Sequence, residues 1–445
     1  MGPDFALYKV QFLVQCVVFT ALPGIRRGGF LCGCFLSFGF MSTIDPHKKR
    51  LTRISCAEHI VPYLRQEVED MGYEVQEEDK VSVAVGADLV EALRFTLHLR
   101  TAQQVYWLLD RTRCTSLKML EQWARSYPWE ELIENDAYLS ISSSVSHPSV
   151  TNTMYPNLLL KDTIVDRIKQ HTGERPDSGS DRSGVVIHLV WKGDRAWIYL
   201  NVNGTRLSDR GYRKLPHHAP MSETLAAAVL MGMGYDGTQA LLNPMCGSGT
   251  LAIEAALMMA GRAPGLMRSD ASALYTMLDV DDEYMAMRKE ARKSKPPIDE
   301  PMPIIASDHD PMAIDAAMRN AKTAGVDHLI LFEISDFRDS TVPELGPDEH
   351  GHVIFNPEYG IRLGETDELR QVYRDIGFFF KDRCAGYTGH VFTGSRSLST
   401  QIRLRAAGRL PFNNGNIPCR LLSYELYRPG EDPQAQVEES ANPPE

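Results

Sequence analysis

Hydrophobic residues in the C-terminal half of the chain fall into short continuous runs, separated by longer stretches with helical spacing. The runs cover residues 240–243, 304–308, 329–333, 353–355 and 390–393, and a last one, with alternating apolar positions, covers 421–426. Helical spacing is found at residues 225–231, 250–261, 311–324, 367–380 and 398–404. Short apolar runs are typical of strands buried on both faces. Strands that alternate with helices predict an α/β fold built on a parallel sheet.

The N-terminal half of the chain contains smaller elements in a less regular order. Residues 52–100 show a strand around Arg53, a helix over 57–71 closed by Gly72, an alternating strand at 81–85 and a helix capped by Asp88. Residues 101–202 show strands at 105–109, 138–143, 185–190 and 196–202, a helix from Ser116 that carries Trp123 and Trp129, and an amphipathic helix over 157–169. We therefore predict two small α/β units, at 52–100 and 101–202, ahead of the larger α/β domain.

Composition and charge narrow the functional classes. The chain has 445 residues and a formal net charge of −11, so any basic surface for nucleic acid must be local. Part of the negative charge lies in residues 430–445, which are rich in Glu and Pro, and we predict a disordered acidic tail there. The 8 cysteines include no CxxC pair, which argues against a zinc site and a disulfide framework. We expect a cytoplasmic protein that needs no metal.

Residues 1–40 differ from the rest of the chain. They contain two apolar runs separated by Arg26 and Arg27, and both runs are shorter than the ~20 residues that a membrane-spanning helix needs. A signal peptide is an alternative, although Asp4 precedes the first run. Because Met41 begins an ordinary polar sequence, we favour the interpretation that residues 1–40 are a start-site artefact, and we expect no membrane association.

A glycine-containing turn follows the first of the C-terminal apolar runs. Residues 243–250 read Asn-Pro-Met-Cys-Gly-Ser-Gly-Thr, and a helical pattern starts at Thr250. A turn of this kind, at the carboxyl end of a strand and the N-terminus of a helix, is where nucleotide-like ligands bind in α/β sheets. The candidate binding residues are Asn243, Met245, Cys246, Gly247, Ser248 and Gly249. A short strand–helix loop without a ligand is the alternative interpretation.

The acids that follow the turn help to choose among nucleotide-like ligands. Gly247, Gly249 and Ala252 satisfy the dinucleotide fingerprint, but that fingerprint needs an acidic strand end ~20 residues later, and the next such acid is Asp308. A P-loop would need Gly-Lys-Ser/Thr, which this turn does not contain. S-adenosylmethionine fits better: the turn would hold its amino-acid end, Asp308 its ribose hydroxyls and Asp336 its adenine amine.

A second polar segment, Asn-Pro-Glu-Tyr-Gly at 356–360, follows the fourth apolar run. Methylation of an exocyclic amine requires its lone pair to be drawn out of conjugation with the ring. The amide oxygen of Asn356 and the carbonyl of Pro357 can accept the amine's N–H groups, and Tyr359 can stack on a base extruded from a helix. We predict these three residues as catalytic. An Asn-Pro turn with a buried tyrosine is the alternative.

Two basic segments are candidates for phosphate contacts. Lys161 and Arg167 lie on the polar face of the helix at 157–169, and Arg206, Arg210 and Arg213 lie close to Tyr212 in residues 205–214. Cations combined with an aromatic ring suit RNA binding. The alternatives are a solvated helix face for the first segment and a plain charged linker for the second.

Several motifs together resemble the THUMP-domain class I methyltransferases, among them the bacterial enzymes that modify guanine N2 in 23S ribosomal RNA. They are the segment 243–250 with Ala-Pro-Gly-Leu at 263–266, Arg-Gly-Tyr-Arg at 210–213 with Glu-Thr-Leu-Ala-Ala at 223–227, and Lys-Asp-Thr-Ile-Val-Asp at 161–166. The resemblance implies a ferredoxin-like domain at 51–110, an RNA-binding THUMP domain at 111–204, and a Rossmann-like methyltransferase domain with a mixed seven-stranded sheet at 205–429. It also implies S-adenosyl-L-methionine as donor, held in part by Thr224, and ribosomal RNA as partner.

Two positions depart from the family pattern. The family usually has Asp where this chain has Asn243, and a second Pro where this chain has Glu358. Since Asn356, Pro357 and Tyr359 are present, we expect a guanine-N2 methyltransferase acting on RNA. The alternatives are methylation of adenine N6, methylation of guanine N2 in tRNA, and an RNA-binding factor without turnover.

Overall fold

The computed structural model describes residues 44–148, 150–182, 184–214, 221–268, 278–293, 301–359 and 367–428. The predictions for residues 1–40 and 430–445 lie outside these ranges. None of the helices within them is long and apolar enough to span a bilayer.

Eight of the described strands form one sheet in the N-terminal part. They are β1 (Arg50–Ser55), β2 (Val75–Asp79), β3 (Ser82–Ala87), β4 (Gln104–Arg113), β5 (Leu139–Ser146), β6 (Ser178–Gly179), β7 (Val185–Lys192) and β8 (Arg195–Asn201). Their order is β2-β3-β1-β4-β8-β7-β5-β6. β4 pairs with β8 from Tyr106–Asn201 to Arg113–Arg195, with a register shift between Leu108 and Asp110, so the two predicted N-terminal units share one sheet.

The helices of this part are α1 (Val61–Asp70), α2 (Leu89–His98), α3 (Leu117–Ser126) and α4 (Met154–Thr172). Asp88 caps α2 with a capping box, and Ser116 caps α3, as the sequence predicts. The apolar face predicted for the helix at 157–169 is buried at Leu160, Ile164 and Ile168. One prediction is wrong. Trp129 is not on α3 but in a 3₁₀ turn (Trp129–Glu131), because a helix rarely continues through the residue before a proline, here Pro128.

The C-terminal part is built on a second sheet of seven described strands. They are β9 (Ala240–Pro244), β10 (Ile304–Asp308), β11 (Ile330–Ile334), β12 (Gly351–Phe355), β13 (Tyr387–Thr393), β14 (Gly408–Asn414) and β15 (Ile417–Glu425). The order is β11-β10-β9-β12-β13-β15-β14, and β15 is antiparallel to both its neighbours while the others run parallel. The predicted mixed seven-stranded, Rossmann-like sheet is confirmed.

The helices of the C-terminal part are α5 (Glu223–Met233), α6 (Thr250–Met259), α7 (Asp281–Ala291), α8 (Pro311–Ala324), α9 (Asp367–Arg383) and α10 (Arg396–Ser399). The helix predicted at 398–404 is wrong, since α10 is one turn long and a 3₁₀ turn (Thr400–Ile402) follows it. The sequence also failed to predict β14. This strand contains Pro411, which an edge strand tolerates because one side of its backbone needs no hydrogen-bonding partner.

Direct contacts join the N-terminal sheet to the C-terminal part. The Arg100 guanidinium donates to the carbonyls of Leu257 (3.3 Å) and Arg262 (2.9 Å), which lie at the end of α6 and just after it. Tyr63 of α1 stacks on Phe412 of β14, with ring centroids 5.7 Å apart. The N-terminal part is therefore held against the C-terminal part by hydrogen bonds and an aromatic contact.

Candidate functional site

The carboxyl ends of five parallel strands carry the predicted site residues. The register aligns Asp308 with Ile334, Ala306 with Asn243, and Phe355 with Val391. Parallel strands in register end at one edge of the sheet, so the segments after β11, β10, β9, β12 and β13 meet there. The edge carries, in this order, Asp336, Asp308, the glycine turn, the 356–359 segment and Gly394.

The glycine turn between β9 and α6 has two glycines with different roles. Both are left-handed, with φ of +54° at Gly247 and +81° at Gly249. A Cβ on Gly249 would lie 2.9 Å from the Ala317 Cβ, so this glycine lets α8 pack close. A Cβ on Gly247 would meet no atom within 4 Å. The backbone of Gly247 therefore borders open space, where a ligand can approach it.

Asp308, at the end of β10, is fixed by backbone donors. Its Oδ2 accepts from the Gly247 N–H and its Oδ1 from the Asp310 N–H, both at 3.0 Å. The residue is 9% exposed. A carboxylate offers about four acceptor positions, so this one still has capacity for two hydroxyl donors. The predicted role of Asp308 toward a ribose agrees with this arrangement.

Cys246 lies in the same turn, and its backbone N–H donates to Ser307 O at 3.0 Å. Burial, with a smaller contribution from the nearby Asp308 carboxylate, raises the pKa of its thiol well above the ordinary value. The side chain is therefore a neutral thiol at physiological pH rather than a nucleophile. Cys246 therefore contributes the volume of its side chain and the position of its backbone, not a reactive group.

Two oxygen atoms behind the turn are buried without a partner. The Asn243 Nδ2 donates to Ile354 O on β12 at 3.1 Å, while its Oδ1 has no partner among the described residues, and the same holds for the Thr224 Oγ1 at the start of α5. A buried acceptor without a donor costs about 1–3 kcal/mol. A ligand carrying N–H or O–H donors would relieve this cost. Together with the open space at Gly247, these oxygens fit the predicted S-adenosylmethionine.

Asp336, after β11, caps a 3₁₀ turn (Phe337–Asp339) and is half-exposed. Its Oδ1 accepts from the Arg338 N–H at 3.0 Å, and its Oδ2 from the Arg338 guanidinium at 2.8 Å. The Ser335 N–H donates to Asp308 O at 3.0 Å, so Asp336 follows directly on a residue bonded to the β10 end. Contact between Asp336 and an adenine amine stays a prediction.

The segment after β12 presents a free acceptor and a fixed ring. The Asn356 Oδ1 is buried without a partner among the described residues, and Pro357 is buried beside it. The Tyr359 hydroxyl accepts from the Asn414 Nδ2 at 2.8 Å. A Cβ on Gly394 would lie 3.0 Å from the Tyr359 Cδ2, so the absence of a side chain at 394 makes room for the ring. Burial raises the pKa of Tyr359 to about 12, which keeps the hydroxyl protonated.

Glu358, the departure from the family pattern, is exposed. Its carbonyl accepts from the Tyr373 hydroxyl at 3.3 Å, and that hydroxyl also bonds to the Thr393 Oγ1 at 2.7 Å. These contacts fix the backbone of the segment through α9 and β13. Because they use the main chain of Glu358, the glutamate side chain is not needed for the conformation of its neighbours.

Three of the five predicted RNA-binding residues pair with carboxylates: Arg210, Arg213 and Arg167. Arg210 is buried, so its prediction is wrong, and the pairs made by the other two, which are partly exposed, argue against phosphate contacts there. Arg210 is 1% exposed and pairs with Glu254 at 2.8 Å. Arg213 pairs with Glu223 at 3.2 Å and also donates to Met221 O and the Thr250 Oγ1. A guanidinium whose donors are committed to internal acceptors is not available for phosphate.

Arg167 is the third. Its guanidinium makes two bonds to the Glu130 carboxylate, at 2.6 and 2.8 Å, and one to Arg125 O. It joins α4 to the turn after α3 and is mostly covered. Lys161 is partly covered and lies 3.5 Å from Asp162, and Arg206 is exposed. Lys161 and Arg206 remain predicted RNA contacts.

Sequence reasoning missed two asparagines that shape the site. Asn320 on α8 is fully buried; its Nδ2 donates to Ser248 O at 3.3 Å and its Oδ1 accepts from the Lys214 N–H at 3.0 Å. A polar residue on the apolar face of a predicted helix is a signal that could have found it. Asn414, which holds Tyr359, lies on the unpredicted strand β14.

Residues 210–423 match UPF0020, described as an RMKL-like methyltransferase domain, and residues 54–106 match the RlmL ferredoxin-like domain. A protein of Syntrophotalea carbinolica named "Ribosomal RNA large subunit methyltransferase K/L" is 32% identical over 392 residues, which cover 86% of this chain and 55% of that protein. A protein of the same name from Psychromonas ingrahamii is 32% identical, covering 84% of this chain and 50% of the relative. The chain thus spans about half the length of the curated relatives it matches.

A solved structure titled "a possible methylase from Clostridium difficile 630" is similar in both fold and sequence. It has a TM-score of 0.76 and 27% identity, and the match covers 86% of this chain and 100% of that one. The coverage extends over both sheets, so the described arrangement of the N-terminal sheet and the C-terminal sheet recurs in an independent protein.

Proposed function

The chain carries a methyltransferase domain of the UPF0020 family behind an RlmL-type ferredoxin-like domain, and we propose that it methylates the N2 amine of a guanine in 23S ribosomal RNA. The observation that carries the proposal is the buried, unpartnered Asn356 Oδ1 at the end of β12, the strand next to the glycine turn. An acceptor in that position suits an exocyclic amine, which donates two N–H bonds.

S-adenosylmethionine, when bound, supplies a methyl group made electrophilic by the adjacent sulfonium. In our proposal the backbone of Gly247 and Ser248 borders its amino-acid end, and the Oδ1 of Asn243 and the Oγ1 of Thr224 accept donors from it. The carboxylate of Asp308 accepts the ribose hydroxyls. These groups are held in place before the ligand arrives, so little ordering is needed on binding.

In our proposal the target base binds next to the donor, against the segment that follows β12. The Asn356 Oδ1 and the Pro357 carbonyl accept the two N–H bonds of the amine, which holds its lone pair away from conjugation with the ring. Tyr359, fixed by Asn414, stacks on the base. No group in this scheme forms a covalent bond to the base, so the residues act by positioning the amine and excluding water.

For the rest of the chain we propose a THUMP domain at 111–204, between a ferredoxin-like domain at 51–110 and a methyltransferase domain at 205–429. Lys161 and Arg206 would contact phosphates of the RNA in the cytoplasm. The formal net charge of −11 makes such local cations necessary, because the protein as a whole repels RNA.

The test is tritium transfer from labelled S-adenosylmethionine to 23S ribosomal RNA transcribed in vitro, followed by digestion to nucleosides. We expect label in N2-methylguanosine with this RNA and none with tRNA transcripts or with RNA that is already fully modified. Label in N6-methyladenosine would replace the guanine proposal with the adenine one. Tight binding of the RNA with no transfer would instead support a factor without turnover.

Variants of Glu358 test whether its side chain is needed for the proposed activity. A Glu358→Pro variant restores the residue usual in the family, and a Glu358→Gln variant removes only the charge. Since the side chain makes no contact that fixes the segment, we expect both variants to keep the product and to turn over within about threefold of wild type, that is within ~0.7 kcal/mol. Loss of transfer in both would mean that Glu358 itself takes part in catalysis.

A further inference from the structure

A cavity of ≈ 530 Å³ lies next to the amine site, between the end of β13, helix α10 and the β14–β15 hairpin. Four arginines line it, and we call it the arginine cavity: Arg396, Arg405, Arg409 and Arg420. They come from four places in the chain: Arg396 is on α10, Arg405 lies in the segment before β14, and Arg409 and Arg420 are on the two strands of the hairpin. A volume of this size is large enough for a nucleotide-sized group.

The charges of the arginine cavity are not balanced locally. All four arginines are exposed, and none of them forms an ion pair with a carboxylate in the described part of the chain. Other arginines in the protein behave differently, since Arg338 pairs with Asp336 and Asp375. Four guanidiniums around one cavity repel one another, and in a protein of net charge −11 such a cluster is a local exception. An anionic ligand would remove the repulsion.

The arginine cavity shares a wall with the amine site. Gly394 and Cys419 line the cavity, and Tyr359 packs on the other side of both: a Cβ on Gly394 would lie 3.0 Å from the Tyr359 ring, and the Cys419 thiol is within hydrogen-bonding reach of the Tyr359 hydroxyl. A base stacked on Tyr359 would therefore have its own sugar and the next phosphates close to the cavity. The donor-binding turn lies on the far side of β12 from the cavity, so the cavity is separate from the donor site.

We propose that the arginine cavity binds the phosphate backbone of the RNA strand beside the extruded guanosine. The inference rests on the proposed function for the identity of the RNA. Guanidinium groups match phosphate oxygens with paired, charge-assisted hydrogen bonds. Extruding a base from a helix requires the backbone next to it to be held in a new path, and phosphate contacts fix register without selecting sequence. The four arginines thus position the strand, while the amine site selects the base.

Filter binding of in vitro transcribed 23S ribosomal RNA over a series of KCl concentrations tests the proposal. The double variant R405Q/R409Q removes two charges from the cavity, and R319Q removes one exposed arginine from α8, where it pairs with Asp315 on the same helix. We expect the slope of log affinity against log salt to become shallower by about 1.4 in the double variant, about 0.7 for each lost contact to a single strand. R319Q should leave the slope unchanged.

Two further measurements separate this inference from the proposed function. Affinity for S-adenosylhomocysteine, by calorimetry, should be equal in all three proteins, and a drop in the double variant would place these arginines in the donor site and overturn the proposal. An unchanged salt slope overturns it as well, even if the wild type methylates the RNA. A shallower slope without any methylation by the wild type would leave the cavity assignment standing and remove the proposed activity. Failure of the wild type to bind this RNA would overturn both.

Discussion

Replacing Asn356 with Ala should abolish most of the activity without destabilising the protein. The Asn356 Oδ1 is buried and has no hydrogen-bonding partner among the described residues, which costs the free protein about 1–3 kcal/mol. In the proposed reaction this oxygen accepts from an amine whose nitrogen gains positive charge. Losing one such preorganised contact typically costs about 2.7–4 kcal/mol, or 10²–10³ in kcat. In this proposal the unpartnered oxygen lowers the stability of the free protein and raises kcat.

The assay pairs initial rates of tritium transfer at saturating RNA with urea unfolding. For Asn356→Ala we expect kcat to fall by about 10²–10³, while the free energy of unfolding stays the same or rises, because the unpaired acceptor is gone. Asn157→Ala is a matched control, since its Oδ1 on α4 is also buried and unpartnered. It should show the same effect on stability and wild-type turnover.

Two results would refute this reasoning. If Asn356→Ala turned over within about threefold of wild type, a barrier change of less than ~0.7 kcal/mol, the amide would have no role in the reaction. If instead Asn356→Ala lost stability while Asn157→Ala did not, the Oδ1 would have a structural partner in solution. In that case the loss of activity would report on folding rather than on amine binding.

Three further predictions follow from buried groups and the glycine turn. Arg210→Ala should lower the free energy of unfolding by about 3–5 kcal/mol in urea titrations, because it leaves the Glu254 carboxylate buried without its charged partner; a loss below ~1 kcal/mol would contradict this. Burial lowers the pKa of both His188 and His352 from 6.5 to about 4, so the unfolded chain takes up protons that the folded chain does not. The contribution of these two imidazoles to the free energy of unfolding should therefore be constant above pH 6.5. Between pH 6.5 and 4 it should fall by about 1.4 kcal/mol per pH unit for each imidazole. Urea midpoints that are flat across this range would contradict the assignment. Gly247→Ala should weaken S-adenosylhomocysteine binding at least tenfold in calorimetry, a change of about 1.4 kcal/mol in binding free energy. Backbone strain at φ +54° should lower the free energy of unfolding by only about 1–2 kcal/mol. Unchanged affinity would place the ligand elsewhere.

The periodicity of the sequence predicted most of the fold because four of the five parallel strands, β9, β10, β12 and β13, are buried on both faces. Such strands appear as uninterrupted apolar runs, and the polar residues at their ends, Asp308 and Asn356, mark the edge where the site lies. Hydrophobic periodicity did not predict the edge strand β14. β14 has only two apolar side chains besides Pro411, Leu410 and Phe412, and ends in two asparagines, so its pattern resembles a loop.

The errors at single residues have a common physical origin, which is pairing across long stretches of chain. Arg210 and Tyr212 look like surface residues in their own decapeptide, but both contact Glu254, more than forty positions later. Arg167 pairs with Glu130, on another element. A local pattern shows that a cation is present, and only the folded chain shows which carboxylate lies opposite it. The arginine cavity was missed for the complementary reason, since its members come together from separate elements.

The ladder between β4 and β8 has a consequence for how a target nucleotide would be chosen. The β4–β8 ladder joins the two halves of the N-terminal sheet, and Arg100 connects this part of the chain to the end of α6. If RNA docks on that sheet as proposed, these contacts would fix the distance between the docked feature and the proposed methyl-transfer site. Adding one base pair to the RNA stem between the docked feature and the target should shift the modified position along the strand rather than simply weaken the reaction.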